Sequence, residues 1–215
     1  MNSQMWRRSL IIVLILSACA LALCFAQNND TFQEEAARLA LHLHWQEGSV
    51  VADIGAGKGE LTLIAAERVG ATGRVYTTEL DVKKLAALED LAAKEKNITA
   101  LQAGVAQTNL PPECCDSIFM RLVYHHLTKP AEVDASLFQS LKPGGLLAVI
   151  DEDPSPGSSI PEGVPKNRVG HGVPQKILID ELTAAGFQVV TIPDDWPGRE
   201  PNHQMYCVVF RKPGP

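Results

Sequence analysis

The sequence predicts an α/β domain: one mostly parallel sheet with helices on both faces, preceded by a hydrophobic leader. Three observations carry this reading. Short apolar runs alternate with amphipathic stretches from Thr31 onward, the rhythm of strand–helix–strand units. A glycine-rich turn, Gly55-Ala56-Gly57-Lys58-Gly59, joins the first apolar run to the helix after it. Proline and glycine punctuate the remaining joins, as at Lys142-Pro143-Gly144-Gly145.

The elements follow in order. Thr31 to Leu43 has apolar residues spaced for an amphipathic helix. Val50 to Ile54 is a short buried strand, and Lys58 to Val69 a helix with Leu61, Ile64, Ala65 and Val69 on one side. Gly73 to Glu79 is the second strand, Val82 to Lys94 a helix and Ile98 to Gln102 the third strand. After a proline turn at Leu110 to Glu113 come a fourth strand, Ser117 to Val123, and a helix, Pro130 to Leu141. Leu146 to Ile150 is the fifth strand. Asp153 to Pro174 then breaks the rhythm and reads as a long loop, a length that in a compact domain tends to be functional. Gln175 to Ala185 is the last helix, and Phe187 to Ile192 and Met205 to Phe210 are two final strands.

Composition sets limits. With 215 residues, 46% hydrophobic and 20% charged, the chain holds one well-filled domain and is not a disordered one. A net charge of −6 argues against general nucleic-acid binding, which needs a basic face. Of five cysteines, Cys19 and Cys24 fall in the leader, leaving Cys114, Cys115 and Cys207. Adjacent cysteines rarely bond to each other, because a disulfide sets its two α-carbons well apart. No CxxC pair suggests a zinc site.

The leader has Arg7 and Arg8 before a 17-residue run, Leu10 to Ala26, that is apolar but for Ser17, and then turns polar. This is the layout of a secretory signal, with cleavage after Ala26. Leu16-Ser17-Ala18-Cys19 also resembles a lipobox, which would acylate Cys19. The run sits at the low limit for spanning a bilayer, so an uncleaved anchor is the third alternative, with the body outside by the placement of the arginines. The expected organisation is a leader over residues 1–26 and one domain over 28–215, exported or membrane-anchored.

The motif Val50-Val51-Ala52-Asp53-Ile54-Gly55-Ala56-Gly57-Lys58-Gly59 places glycines where the backbone must turn and approach a ligand, ahead of a helix N-terminus with free amides. Glu79, twenty residues past Gly59, ends the second strand and can accept from both hydroxyls of a ribose. Dinucleotide sites use GxGxxG, whereas this loop is GxGxG after an acid. It resembles the class I S-adenosylmethionine (SAM)-dependent methyltransferases, whose pattern is DxGxGxG. Val75 to Asp81, with Glu79 in the ribose place, and Leu141-Lys142-Pro143-Gly144-Gly145 match further family motifs in order. Asp116 to Leu127 with Asp151-Glu152-Asp153 resembles a bacterial subgroup that has a YHH motif after the fourth strand and often a leader.

The resemblance implies a Rossmann-like, doubly wound, seven-stranded sheet with an antiparallel strand from the C-terminal hairpin. It implies SAM as cofactor and transfer of its methyl group to an acceptor, expected to be a small molecule. The cofactor set it implies is Asp53, Gly55, Ala56, Gly57, Gly59, Glu79, Leu80, Gly104, Val105 and Arg121. Val105 departs from the family, many of whose members carry an acid after the glycine, and Gln107 or Thr108 could compensate. Tyr124, His125 and His126 follow the fourth strand, at the end of the sheet where ligands bind, and are the candidate catalytic residues. A histidine there could act as a general base; the bland alternative is one packed imidazole and one solvated. No metal site is expected, since adjacent histidines do not converge on one point. His171 in the long loop could cover a substrate, and Asn202 and His203 belong to the loop before the last strand. Asp151, Glu152 and Asp153 read as a solvated edge. His42, His44 and Trp45 could cap the cofactor entrance. The rival readings are a domain of this fold that binds without methylating, which Val105 allows, and an NAD-linked oxidoreductase, which the loop spacing disfavours.

Overall fold

The computed structural model describes residues 31–155, 157–194, 196–197 and 205–214. The leader, Cys19 included, and Asn202 and His203 lie outside the described residues. Among those described, no helix is long and apolar enough to cross a membrane.

Helix α1 covers residues 31–42. Then come β1 (Val50–Ile54), α2 (Glu60–Val69), β2 (Arg74–Glu79), α3 (Val82–Lys94), β3 (Ile98–Gln102) and β4 (Cys115–Arg121). They are followed by α4 (Pro130–Ser140), β5 (Leu141–Glu152), α5 (Gln175–Ala184), β6 (Gln188–Thr191) and β7 (Met205–Arg211). The seven strands form one sheet in the order β3-β2-β1-β4-β5-β7-β6. β1 to β5 run parallel, and β7 is antiparallel to both β5 and β6. The predicted doubly wound sheet with an antiparallel hairpin strand is therefore present.

Side chains alternate across the central strands, so both faces are apolar and both are covered. Val51, Val75, Phe119, Ala148 and Ile150 face α1 and α2. Ala52, Ile118, Met120, Leu147 and Val149 face α4 and α5. Phe119 is fully buried, a placement that stabilises by about 1.5–3 kcal/mol. Helix α3 begins where Asp81 Oδ1 accepts from the amides of Lys83 and Lys84, satisfying two donors of the first turn.

Three expectations change. β4 ends two residues early, because Leu122 takes a left-handed conformation (φ 55°) that no extended strand accommodates. β5 begins at Leu141 rather than Leu146: the predicted turn pairs Leu141 with Cys115, then slips register before Leu146 meets Ser117. A β-bulge thus absorbs Pro143 and the positive φ of Gly144. Cys114 and Cys115, expected to be unbonded to each other, are joined as a vicinal disulfide, with α-carbons 3.7 Å apart at the mouth of β4. Among the described residues Cys207 is free and buried.

Candidate active site

β1 delivers the chain into a turn through Gly55, Gly57 and Gly59, all at positive φ (69°, 63° and 83°). A Cβ on Gly55 would lie 2.6 Å from Val123 Cγ2, whereas one on Gly57 would meet nothing within 4 Å. Gly59 is the N-cap of α2, and a Cβ there would lie 2.9 Å from Leu88 on α3. Its smallness serves helix packing, and of the three glycines it alone lines neither hollow at this loop. The amides of Gly55 and Ala56 donate to the Thr78 carbonyl at 2.9 and 3.0 Å. Glu79 Oε2 accepts from the Gly57 amide at 3.0 Å, and Oε1 from the amides of Leu80 and Asp81 at 2.8 and 3.1 Å. One buried carboxylate thereby fixes the loop to the end of β2.

Two hollows meet at this loop. One, of about 410 Å³, is lined by Gly55, Glu79, Leu80, Gly104, Val105 and Arg121, and also by Gln107, Thr108 and His126. The other, of about 270 Å³, is lined by Asp53, Gly55, Ala56, Gly57 and Arg121, with Phe32 and Lys58. Leu80 and Val105 are apolar yet each 52% exposed, and both border the larger hollow. A wider hollow of about 570 Å³ lies at the far ends of α2 and α3. There Asn97 donates to the carbonyls of Ala66 and Gly70, closing the end of α2, and none of Gly55, Gly57 and Glu79 lines it. We place the candidate site at the first two.

Asp53 is almost fully buried and accepts from Thr62 Oγ1 at 2.6 Å. Burial pushes its pKa up to about 7, against the Thr62 hydrogen bond and the Arg121 charge, which favour the carboxylate. Arg121 pairs with Glu35 of α1 through two hydrogen bonds, 2.5 and 3.1 Å, and lies over the Phe32 ring. Helix α1 is thus held against the carboxyl end of β4.

The residues after β4 divide. Tyr124 is fully buried; its hydroxyl lies 2.9 Å from Asp134 Oδ2 and 3.0 Å from Glu181 Oε2, two acceptors on α4 and α5. Arg168, also fully buried, pairs bidentately with Glu181 and lies over the Tyr124 ring. Tyr124 therefore belongs to a buried polar knot and does not reach the hollow, which corrects its candidacy as a catalytic residue. His126 lines the hollow; burial, then the neighbouring His125 and His171, hold its pKa below the usual value. His125 sits behind it, 2% exposed, with Nδ1 2.6 Å from Asp151 Oδ1. Asp151 is fully buried, which corrects its reading as a solvated edge. The long loop brings His171 to both, with ring centroids 4.6 Å from His125 and 5.2 Å from His126. The convergence that adjacent histidines lack is supplied by this third residue.

His42, His44 and Trp45 are elsewhere. Trp45 Nε1 donates to Ser117 Oγ near the start of β4, and His44 lies beside Asp116 and Lys142. Helix α1 runs from the site at Phe32 to the opposite end of the sheet, so its last turn cannot cap the entrance. Lys84 was missed: it lines both hollows from the first turn of α3. Its signal was its position three residues past the N-cap Asp81, directly after the acid-ended strand. Glu35 and Phe32 were missed because nothing in α1's periodicity marks which turn faces β4.

Residues 52–149 match a family model described as a methyltransferase domain. A ubiquinone/menaquinone biosynthesis C-methyltransferase from Marinomonas sp. is 29% identical over 107 residues, covering 48% of this chain and 43% of that protein. The chain thus matches less than half the length of that relative. A SAM-dependent methyltransferase from Aquifex aeolicus has the same fold, with a TM-score of 0.66 at 22% identity over 82% of this chain and 89% of that one. A geranyl diphosphate C-methyltransferase from Streptomyces coelicolor, solved with Mg²⁺, geranyl diphosphate and S-adenosyl-L-homocysteine, aligns with a TM-score of 0.65 at 14% identity over 84% and 79% of the two chains.

Proposed function

We propose that this chain, whose residues 52–149 match a methyltransferase domain, transfers a methyl group from SAM to a small-molecule acceptor. The observation that carries the reading is the larger hollow. The Gly55 turn, the Glu79 carboxylate and the two exposed apolar side chains, Leu80 and Val105, border one space of about 410 Å³.

The residues fit that cofactor. The open side of Gly57 admits close backbone approach. A carboxylate has about four lone-pair positions and Glu79 uses three on backbone amides, so a further acceptor position is available to ribose hydroxyls. Leu80 and Val105 offer apolar faces to the adenine ring, with Gln107 as the nearby polar side chain that Val105 cannot be. At the smaller hollow, Asp53 suits an amino group, and Lys84 and Arg121 a carboxylate. SAM, when bound, supplies a methyl group already activated on a sulfonium sulfur. The chain's own contribution is then to hold the acceptor in line and exclude water. His126, Leu127 and Thr128 border the larger hollow beyond Val123 and would face the acceptor. The likeness to C-methyltransferases of small molecules supports an acceptor of that size. The leader, basic then apolar, supports export or membrane tethering of the domain.

Calorimetric titration of the full 215-residue chain with SAM and with its demethylated product tests this. Saturable binding, weakened at least about tenfold in Glu79→Ala, is the expected result and opens a screen of small acceptors. A folded chain that binds neither would sink the enzyme reading and leave the fold in another use, the alternative that Val105 allows.

A further inference from the structure

His125, His126 and His171 present ring nitrogens that all lie within 4.8 Å of one another. His125 Nδ1 is taken by Asp151, and its Nε2 is buried with no hydrogen-bond partner. A buried ring nitrogen left without a partner is destabilising unless something meets it. His171 Nδ1 lies 3.6 Å from Glu152 Oε1, so a second carboxylate from the end of β5 stands behind a second histidine. Carboxylates behind imidazoles, fixing tautomer and ring orientation, are the usual outer shell of a metal centre.

The loop that carries His171 is pinned on both sides. The His171 amide donates to Ser158 Oγ at 2.8 Å and its carbonyl accepts from the Ser155 amide at 3.1 Å. A Cβ on Gly172 would lie 2.8 Å from the Glu152 carbonyl, and one on Gly170 would lie 2.7 Å from Ser158 Oγ. The glycines flanking His171 are therefore what let the loop lie against β5 closely enough to bring this imidazole to the other two.

We propose that His125, His126 and His171 form a binding site for one divalent transition-metal ion of the zinc type, with its open coordination position turned toward the larger hollow. Three imidazoles favour a borderline ion over Mg²⁺ or Ca²⁺, which want oxygen. Three protein ligands leave a fourth tetrahedral position for water or a substrate atom. His126 borders the hollow, so that position opens where the acceptor would sit. An acceptor with a metal-binding oxygen or thiol group fits it, and this last clause rests on the methyltransferase reading. Zinc–nitrogen bonds of about 2.0–2.1 Å put ligand nitrogens roughly 3.4 Å apart, so the cluster closes by at most about 1.4 Å on binding. His126, exposed on its short turn, has the freedom to move.

The test titrates the full, chelator-treated chain with Zn²⁺ by calorimetry and with Co²⁺ by visible absorption, beside His126→Ala, His171→Ala and Asp151→Asn. The expected result is one equivalent bound per chain at micromolar Kd or tighter, with four-coordinate Co²⁺ bands. Binding should weaken at least about 100-fold in either histidine variant and about 10–100-fold in Asp151→Asn. His126 is exposed and His171 partly so, which keeps the variants foldable; an unchanged melting temperature without metal checks this. No stoichiometric binding by the folded chain, or binding that survives loss of His171, overturns the proposal. SAM titration of the same preparations separates the two readings: metal binding without SAM binding sinks only the methyltransferase reading, and SAM binding without metal binding sinks only this one.

Discussion

Arg121 at the end of β4 and Glu35 on α1 form a bidentate ion pair in which Glu35 is fully buried and the Arg121 side chain is 12% exposed. Removing one partner strands the other charge. Glu35→Leu is expected to destabilise the fold by about 3–5 kcal/mol, and Glu35→Leu with Arg121→Met by clearly less. Urea unfolding of the four proteins of this double-mutant cycle measures the difference; equal losses in single and double variants would show that packing, not charge, dominates.

Asp53 yields a pH prediction. Its folded pKa is raised from 3.8 to about 7, so between those values the native state binds a proton that the unfolded state has released. Stability from this group therefore falls as pH rises from about 4 to about 7. Asp53→Asn removes the titration, so its stability relative to the parent should rise over that window, by on the order of 2–4 kcal/mol at full effect. Chemical denaturation at pH 5 and pH 8 reads the gap, and a pH-independent difference would contradict the raised pKa.

The conformation of Gly55 predicts a two-part cost. Gly55→Ala meets both a left-handed φ and the Val123 methyl groups, and should cost about 2–4 kcal/mol. Adding Val123→Ala should return the steric part and leave about 1 kcal/mol from the backbone. Thermal melts of the single and double variants separate the two.

Tyr124 distinguishes a structural tyrosine from a catalytic one. Tyr124→Phe removes the donor shared by Asp134 and Glu181, which should destabilise by about 1–3 kcal/mol. SAM affinity and, once an acceptor is known, kcat should stay within about twofold of the parent below the melting transition. A large fall in kcat at unchanged stability would return Tyr124 to the active site.

The strands and the glycine loop were legible because they obey local rules. β1, α3 and β3 end where apolar period, cap and turn residues agree, and Glu79 follows the loop at a spacing set by one strand–helix–strand unit. What stayed hidden depends on contacts far apart in sequence. The burial of Tyr124 follows from Arg168 and Glu181, more than forty residues on. The burial of Asp151 follows from His125, and the role of His171 from a loop whose path is set by two close glycine contacts. Trp45 was misplaced because amphipathic period gives a helix's inward face but not which of its ends approaches the site. The vicinal disulfide went against a statistical rule about neighbours, and no periodic signal bears on it.

The strand order sets a timetable for synthesis. β5 pairs with β7, which follows it by 53 residues between Glu152 and Met205, and β6, made first, also waits for β7. At about 5–20 residues per second, the newly made chain carries β5 as an open sheet edge for roughly 3–10 s. Val149 and Ile150, sealed from water in the finished protein, belong to that edge, so the interval in which this chain can pair wrongly with a neighbour is fixed by its topology rather than by its final stability.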